Sequence, residues 1–352
     1  MTPYLLAAPL AYAGILALHR LLPARHVAGY VRGADGEPLR YRLNGPAVLL
    51  ATVSAWAGAC RAGWLAWDGL YVHGWASFAG ACALGLAYTA AVVLPAPPTG
   101  RGLAADLFLG RIPDPQAAGI DAKMALYLIG AVMLALNLGS ALAHHVLAFG
   151  PSRELALYTA LFGFFVCEYL VFERVHLYTY DFVAEWVGFK LGWGCLAFYP
   201  YFYAVGAWAE AGRPAPGAPL WSAILAAACF FAGWGLSRGA NLQKYRFKTR
   251  PTAPFLGIAP DVVTDGRRSL LVSGFWGVSR HVNYLGELGM AVGLTLALGR
   301  PSDPLPWLYP LYYVALLVPR QWDDDRRCAE KYGPLWDAYR ARVRWRIVPG
   351  LY

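Results

Sequence analysis

Charge is what this sequence lacks most. Of 352 residues, 30 are Lys or Arg and 21 are Asp or Glu, 14% in all, against roughly 25% in an ordinary soluble domain. A soluble two-domain enzyme needs more ionised surface than this, and a disordered chain needs still more. Cysteine is also scarce: Cys60, Cys82, Cys167, Cys195, Cys229 and Cys328 are scattered, with no CxxC pair and no Cys/His cluster. That excludes a secreted disulfide scaffold and offers no metal centre. His144 and His145 are adjacent and so cannot share one helix face as ligands. No GxGxxG follows a strand pattern, so a Rossmann site is absent. No basic stripe with interleaved aromatics is present for nucleic acid. Long apolar/polar alternation, the mark of an outer-membrane barrel, is missing too.

Hydrophobic residues make up 58% of the chain. They fall in stretches of about 18 to 25 residues with few charges, long enough to cross a bilayer as helices. The expected fold is all-α, a polytopic integral membrane protein with about nine or ten transmembrane helices. Spans are expected near 4–22, 47–66, 71–94, 122–149, 154–172, 187–208, 220–237, 282–299 and 305–319. The first is read as a spanning helix, since it has no basic start and no small-residue cleavage site.

The net charge of +9 sits mainly in alternate loops. Arg20, Arg25, Arg32, Arg40 and Arg42 lie in one, Arg101, Arg111 and Lys123 in another, and the segments 238–268 and 320–352 hold most of the rest. The opposing turn "EAGRPAPGAP" has a single Arg213. Because Lys and Arg accumulate on the cytoplasmic side, the C-terminus is expected in the cytoplasm and the N-terminus outside. Membrane lipid is the expected partner of much of this charge.

Polar residues concentrate in the last third. Arg280, His281, Asn283, Tyr284 and Glu287 stand at the start of an apolar segment, beside Trp276, Trp322, Tyr332, Trp336 and Tyr339. Ionisable groups there are costly unless they line a cavity or bind something. Snorkelling and an interfacial aromatic belt are the plainer reading. The functional one is an anionic ligand with a flat ring, for which cations, a carboxamide and aromatics are the complementary groups.

Three stretches then carry a resemblance. "NLQKYRFKTRP", "LLVSGFWGVSRHVNYLGEL" and the tail with Arg320, Asp324, Cys328 and "KYG" at Lys331 to Gly333 are similar to the C-terminal signature of the membrane sterol reductases, the family of sterol carbon-14 reductase and 7-dehydrocholesterol reductase. The second stretch is closest to the latter. "FERVHLYTYDFVAEWVGFKLGWG" matches the family's loop and following span, keeping Glu173, Thr179, Asp181 and Gly188. Departures are Pro319 for the family's His, Asp323 for its Arg, and the absence of an E-x-R-P-G pair, with Tyr127 and Ile129 near those positions.

The resemblance implies NADPH as cofactor and a sterol or related polycyclic isoprenoid as substrate, with the 7,8 double bond foremost. It assigns cofactor contacts to Lys244, Lys248, Leu271, Trp276, Arg280, His281, Asn283, Tyr284, Arg320, Asp324, Tyr332 and Tyr339. Lys244 and Lys248, placed on a cytoplasmic loop, would meet the 2'-phosphate and pyrophosphate. Reduction of an unpolarised double bond also requires a proton, and Glu173, Asp181 and Tyr284 are the candidate donors. Residues 1–172 are expected to hold substrate and 173–352 the cofactor. A multi-pass protein of the cytoplasmic membrane in bacteria, or of the endoplasmic reticulum in eukaryotes, is implied. The rival readings are an isoprenylcysteine-type methyltransferase, which shares an "RHPxYxGE" region but has Pro where Val282 stands, and a non-catalytic sterol-binding protein.

Overall fold

The computed structural model describes residues 2–33, 35–117 and 119–352. Each expected span contains helix. Among the described residues, four helices are both long and apolar enough to cross a membrane, Gly74–Val93, Ala122–Phe149, Arg153–Val171 and Leu220–Thr249. The chain divides into two compact units, Met1–Pro216 and Gly217–Tyr352.

In the first unit, α1 (Ala7–Leu21), α2 (Gly45–Arg61), α3 (Gly74–Val93), α4 (Ala122–Phe149) and α5 (Arg153–Val171) supply the helical frame. Helix α4 is its axis and packs against α1, α2 and α5. Its sequence is apolar all round, as befits a helix enclosed by others. Asp121 starts it by accepting the Met124 N–H at 2.9 Å, an N-cap that satisfies one of the first-turn donors.

Between α1 and α2, where sequence reading placed only a basic loop, the chain forms a hairpin of β1 (Arg25–Arg32) and β2 (Pro38–Leu43). His26 pairs with Arg42 and Ala28 with Arg40. Tyr41 and Leu43 face inward and pack with Met124, Leu177 and Phe182, while Arg25, Arg32 and Arg40 face out. Arg42 donates to the carbonyls of His19, Arg20 and Leu22. It thereby occupies orphan acceptors at the end of α1.

The span expected at 187–208 is not continuous. It is built from short α-helices Phe189–Trp193 and Tyr199–Phe202 on either side of a π-helical turn, Gly194–Phe198. Pro200 lies just after that turn, and its missing N–H removes one bond from an α-helical ladder there.

The second unit contains α6 (Leu220–Thr249), a hairpin of β3 (Val262–Thr264) and β4 (Ser269–Leu271), α7 (Val282–Ala297), α8 (Pro304–Tyr332) and α9 (Pro334–Arg342). Its centre is a backbone-to-backbone crossing of α6 and α7. A Cβ on Gly286 would lie 2.4 Å from the Ser237 nitrogen, one on Gly293 2.6 Å from the Phe230 nitrogen, and one on Gly233 2.5 Å from the Met290 nitrogen. Only glycine permits that approach, the packing device of small residues in membrane helices.

Both long helices outrun their expected spans. Helix α6 continues to Thr249 because nothing breaks it before Pro251, so Lys244 and Lys248 stand on a helix rather than on the loop expected for them. Helix α8 passes through Pro319 and runs on to Tyr332, bringing the charged motif of the tail onto a rigid element.

Candidate functional site

Helical spacing sorts the tail motif into two faces. Arg320, Asp324, Cys328 and Tyr332 recur every four residues on α8 and so form one stripe. Gln321 and Asp325 form the adjacent stripe.

The first stripe belongs to the residues expected to hold cofactor. Burial raises the Asp324 carboxyl above its ordinary value, while the positive charges of Lys244 and Arg327 pull it down. Burial pushes the Cys328 thiol up to about 12, with Asp324 adding to the rise and Lys244 opposing it. Lys244 on α6 is therefore within electrostatic reach of this stripe. Its Nζ lies 5.6 Å from the centre of the Trp276 ring, a cation–π distance. The indole is held in turn, Nε1 donating to the Ala240 carbonyl at 2.9 Å.

Gln243 fixes the same turn from α6. It accepts the Phe275 N–H at 2.9 Å and donates to the Ser273 carbonyl at 3.1 Å. Tyr332 and Cys328 pack on a small core of Val272, Trp336, Tyr339 and Val343. Within it Trp336 and Tyr339 stack at 4.9 Å, and burial raises the Tyr339 phenol. Leu271 is buried at the end of β4, opposite Val262.

His281 caps the start of α7 and stacks on Tyr284 at 4.9 Å. Burial first, then the positive charges of Arg280, Lys244 and Arg346, lower the imidazole to about 3, so the ring is neutral at pH 7. Its Nε2, and the Oδ1 of Asn283 two residues on, are buried and without partners among the described residues. Buried polar atoms are ordinarily satisfied, so a ligand atom is the natural complement of both.

Arg280 differs from the rest. Its Nη1 donates to the carbonyls of Val343 at 2.9 Å and Arg344 at 2.8 Å, and its Nε lies 3.4 Å from Asp325. Its Nη1 is thus engaged within the protein.

Glu173 and Asp181 belong to the first unit. Glu173 is 5% exposed and accepts the Gly45 N–H at 3.0 Å. A Cβ on Gly45 would sit 2.3 Å from that carboxylate oxygen, so glycine is what lets α2 start against it. Burial pushes the carboxyl up to about 8, with the Gly45 N–H opposing, which keeps it protonated at pH 7. It lines a cleft with Met124, Tyr127, Tyr169, His176 and Phe182. Asp181, on the short helix Tyr180–Val183, is half-buried and does not line that cleft.

The second unit thus brings Lys244, Trp276, His281, Tyr284 and Asp324 into one electrostatically connected head. Lys248 and Arg320 each stand one turn from a member of it, on α6 and α8. Sequence reading passed over Gln243, Gln321, Asp325 and Tyr352. Only the four-residue spacing of Gln321 and Asp325 could have marked the pair as one helix face.

These features define a helical integral membrane protein whose second unit carries a cationic, aromatic-lined head and whose first unit buries a proton-holding carboxyl. The profile of the ergosterol biosynthesis ERG4/ERG24 family matches residues 4–352, and the chain belongs to that family of membrane sterol reductases. It is 32% identical over 350 residues to a Delta(14)-sterol reductase of Arabidopsis thaliana, covering 94% of this chain and 91% of the relative. It is 33% identical to the Delta(14)-sterol reductase TM7SF2 of Mus musculus, over all of this chain and 86% of the relative. To a Delta(14)-sterol reductase of Methylotuvimicrobium alcaliphilum it is 30% identical, covering 97% of this chain and 81% of the relative.

Proposed function

We propose that this chain is an NADPH-dependent sterol reductase that saturates a ring double bond, with the second unit holding cofactor and the first holding sterol and proton donor. The observation that carries the cofactor reading is the head built from Lys244, Trp276, His281 and Asp324. Its residues fit NADPH: Lys244 and Lys248 supply cations for phosphate, Trp276 a flat apolar face, and Asn283 Oδ1 an unsatisfied acceptor suited to an amide or hydroxyl donor. NADPH, when bound, supplies the hydride.

An unpolarised carbon-carbon double bond accepts hydride only with a proton delivered to its other carbon. For the 14,15 bond the proton belongs on C15, which leaves the positive charge on the more substituted C14. Glu173, protonated at pH 7 and buried, has the state an acid needs. Tyr127 lines its cleft, and Asp181 and Tyr284 are the other donors to test. The names of the relatives favour the carbon-14 bond over the 7,8 bond to which the C-terminal motif pointed. They give no support to a methyltransferase. The alternating basic loops support a multi-pass orientation with the head on the cytoplasmic side.

The deciding experiment is turnover of purified protein with NADPH deuterated at the transferable position, given an 8,14-diene sterol or 7-dehydrocholesterol. Deuterium at C14 of the reduced 8,14-diene is the expected product. Label only in reduced 7-dehydrocholesterol would move the proposal to the 7,8 bond. Oxidation of NADPH with neither sterol would refute the reductase reading.

A further inference from the structure

We infer that Arg280, Asp325, Gln321 and Tyr352 form a positioning relay that sets the head of α7 from the far end of the chain. No member of it is a cofactor ligand. The inference rests on the cofactor reading only for its affinity measurements.

The relay is traced by hydrogen bonds. The Tyr352 hydroxyl donates to Gln321 Oε1 at 3.1 Å and accepts from Trp322 Nε1 at 2.8 Å and Arg346 Nη1 at 3.2 Å. Gln321, fully buried, donates through Nε2 to Asp325 Oδ2 at 2.9 Å. Asp325 then faces two guanidinium groups, with Arg280 Nε 3.4 Å and Arg346 Nε 3.7 Å away. The Tyr352 main-chain oxygen accepts the N–H groups of Arg346, Ile347 and Val348 at 2.9, 2.9 and 3.1 Å. That nest closes the segment 346–352 on itself.

The closed segment is what α7 starts from. The Arg280 N–H donates to the Trp345 carbonyl at 2.9 Å, and the His281 N–H to the Arg346 carbonyl at 2.8 Å. Ser279 Oγ adds a bond to the Ile347 carbonyl at 2.9 Å. Residues 279–281 are therefore pinned, main chain and side chain, to 343–347. His281 and Asn283, whose buried atoms are unsatisfied, project from the turn so fixed. A guanidinium that is 5% exposed turns its Nη1 to two carbonyls and its Nη2 to the Asp325 carboxylate, so its charge is directed into the protein.

A ligand role and a positioning role for Arg280 predict opposite outcomes. If Arg280 bound phosphate, Asp325→Asn would release it and tighten NADPH. As a positioning residue it loses its anchor, and NADPH and NADH weaken by the same factor, about tenfold. Tyr352→Phe removes one hydroxyl and keeps the ring. It is expected to weaken both nucleotides about fivefold, raising KM while sparing kcat, and to speed amide exchange of residues 280 and 281 by a similar factor. Exchange is read on the full-length protein without nucleotide, with monodispersity checked in parallel. Unchanged exchange in Tyr352→Phe, tighter NADPH in Asp325→Asn, or a loss confined to NADPH would each overturn the relay. A wild-type protein that binds neither nucleotide would sink the cofactor reading, while the exchange rates would still decide the relay.

Discussion

The first unit spreads its buried ionisable side chains over separate places: Lys123 against Asp114 at 2.8 Å and the Phe182 carbonyl at 2.9 Å, Asp106 against Arg111 at 2.8 Å, and Glu173 against the Gly45 N–H. In the second unit they are gathered, with Lys244, Arg280, His281, Asp324 and Asp325 influencing one another at one end and Glu287 accepting the Ser237 hydroxyl at 2.6 Å beside the glycine crossing of α6 and α7. Isolated buried groups shift strongly toward neutrality, which suits a proton store. Clustered charges act on one another in both directions, the cations lowering the His281 imidazole and opposing the rise of the Asp324 carboxyl, and a cradle rich in cations suits an anionic ligand. On the proposed function, the first arrangement would serve addition of the proton and the second delivery of the hydride.

The largest expected effect breaks the second unit alone. Gly286→Leu puts side-chain atoms where the Ser237 backbone already stands, and overpacking of this kind costs about 1–3 kcal/mol or more. Loss of monodisperse protein is expected. Gly235→Ala, with nothing within 4 Å of the new Cβ, is the control and should fold. Equal tolerance of both changes would show that the crossing is not the organising contact.

Next is Glu173→Gln, which tests the proton store. Turnover should fall about a hundredfold while NADPH binding persists. The wild-type activity should decline as pH rises through about 8, where the carboxyl ionises, and the variant should lack that limb. Stability has the same sign: a raised folded pKa contributes below the unfolded value and is lost as pH rises through the folded one. Near-wild-type turnover would transfer the role to Tyr127, Tyr284 or Asp181.

Smaller again is Lys244→Ala, expected to weaken NADPH about tenfold and NADH less, since one charge-assisted contact is removed. Titration of both nucleotides on purified protein checks it. An equal loss for the two would take Lys244 off the 2'-phosphate.

The same contrast explains what was legible in the sequence. Spans were legible because twenty apolar residues have one use in a bilayer. The residues of the second unit's head were legible as motifs because they lie in short stretches of sequence, and their grouping on α8 follows from helix periodicity. Which carboxylate of Asp323, Asp324 and Asp325 meets Arg280 was not legible, since one residue along α8 rotates a side chain by about 100°. The burial of Glu173 was equally hidden, because it depends on Gly45, 128 positions away. The β1–β2 hairpin escaped notice because its inward residues, Tyr41 and Leu43, alternate with arginines that read as loop charge.

The smallest effect sharpens the first side of the comparison. Asp121 caps α4 and is 3% exposed, and burial raises its carboxyl to about 6 against the pull of the Met124 N–H and the Lys123 charge. Its folded pKa lies above its unfolded value, so its contribution to stability is complete below about 4 and lost as pH climbs through 6. Asp121→Asn retains the cap acceptor and cannot ionise. The thermal midpoint of this variant should match wild type at pH 4 and exceed it by about 2 °C at pH 8. Asp121→Ala, which loses the cap, should be less stable than Asp121→Asn at both pH values, by about 1 kcal/mol. A difference between wild type and Asp121→Asn that is the same at pH 4 and pH 8 would mean that burial is not what governs this carboxyl. The isolated acids of the first unit would then lose their claim to hold protons by desolvation, and with it the reason for looking to Glu173 first.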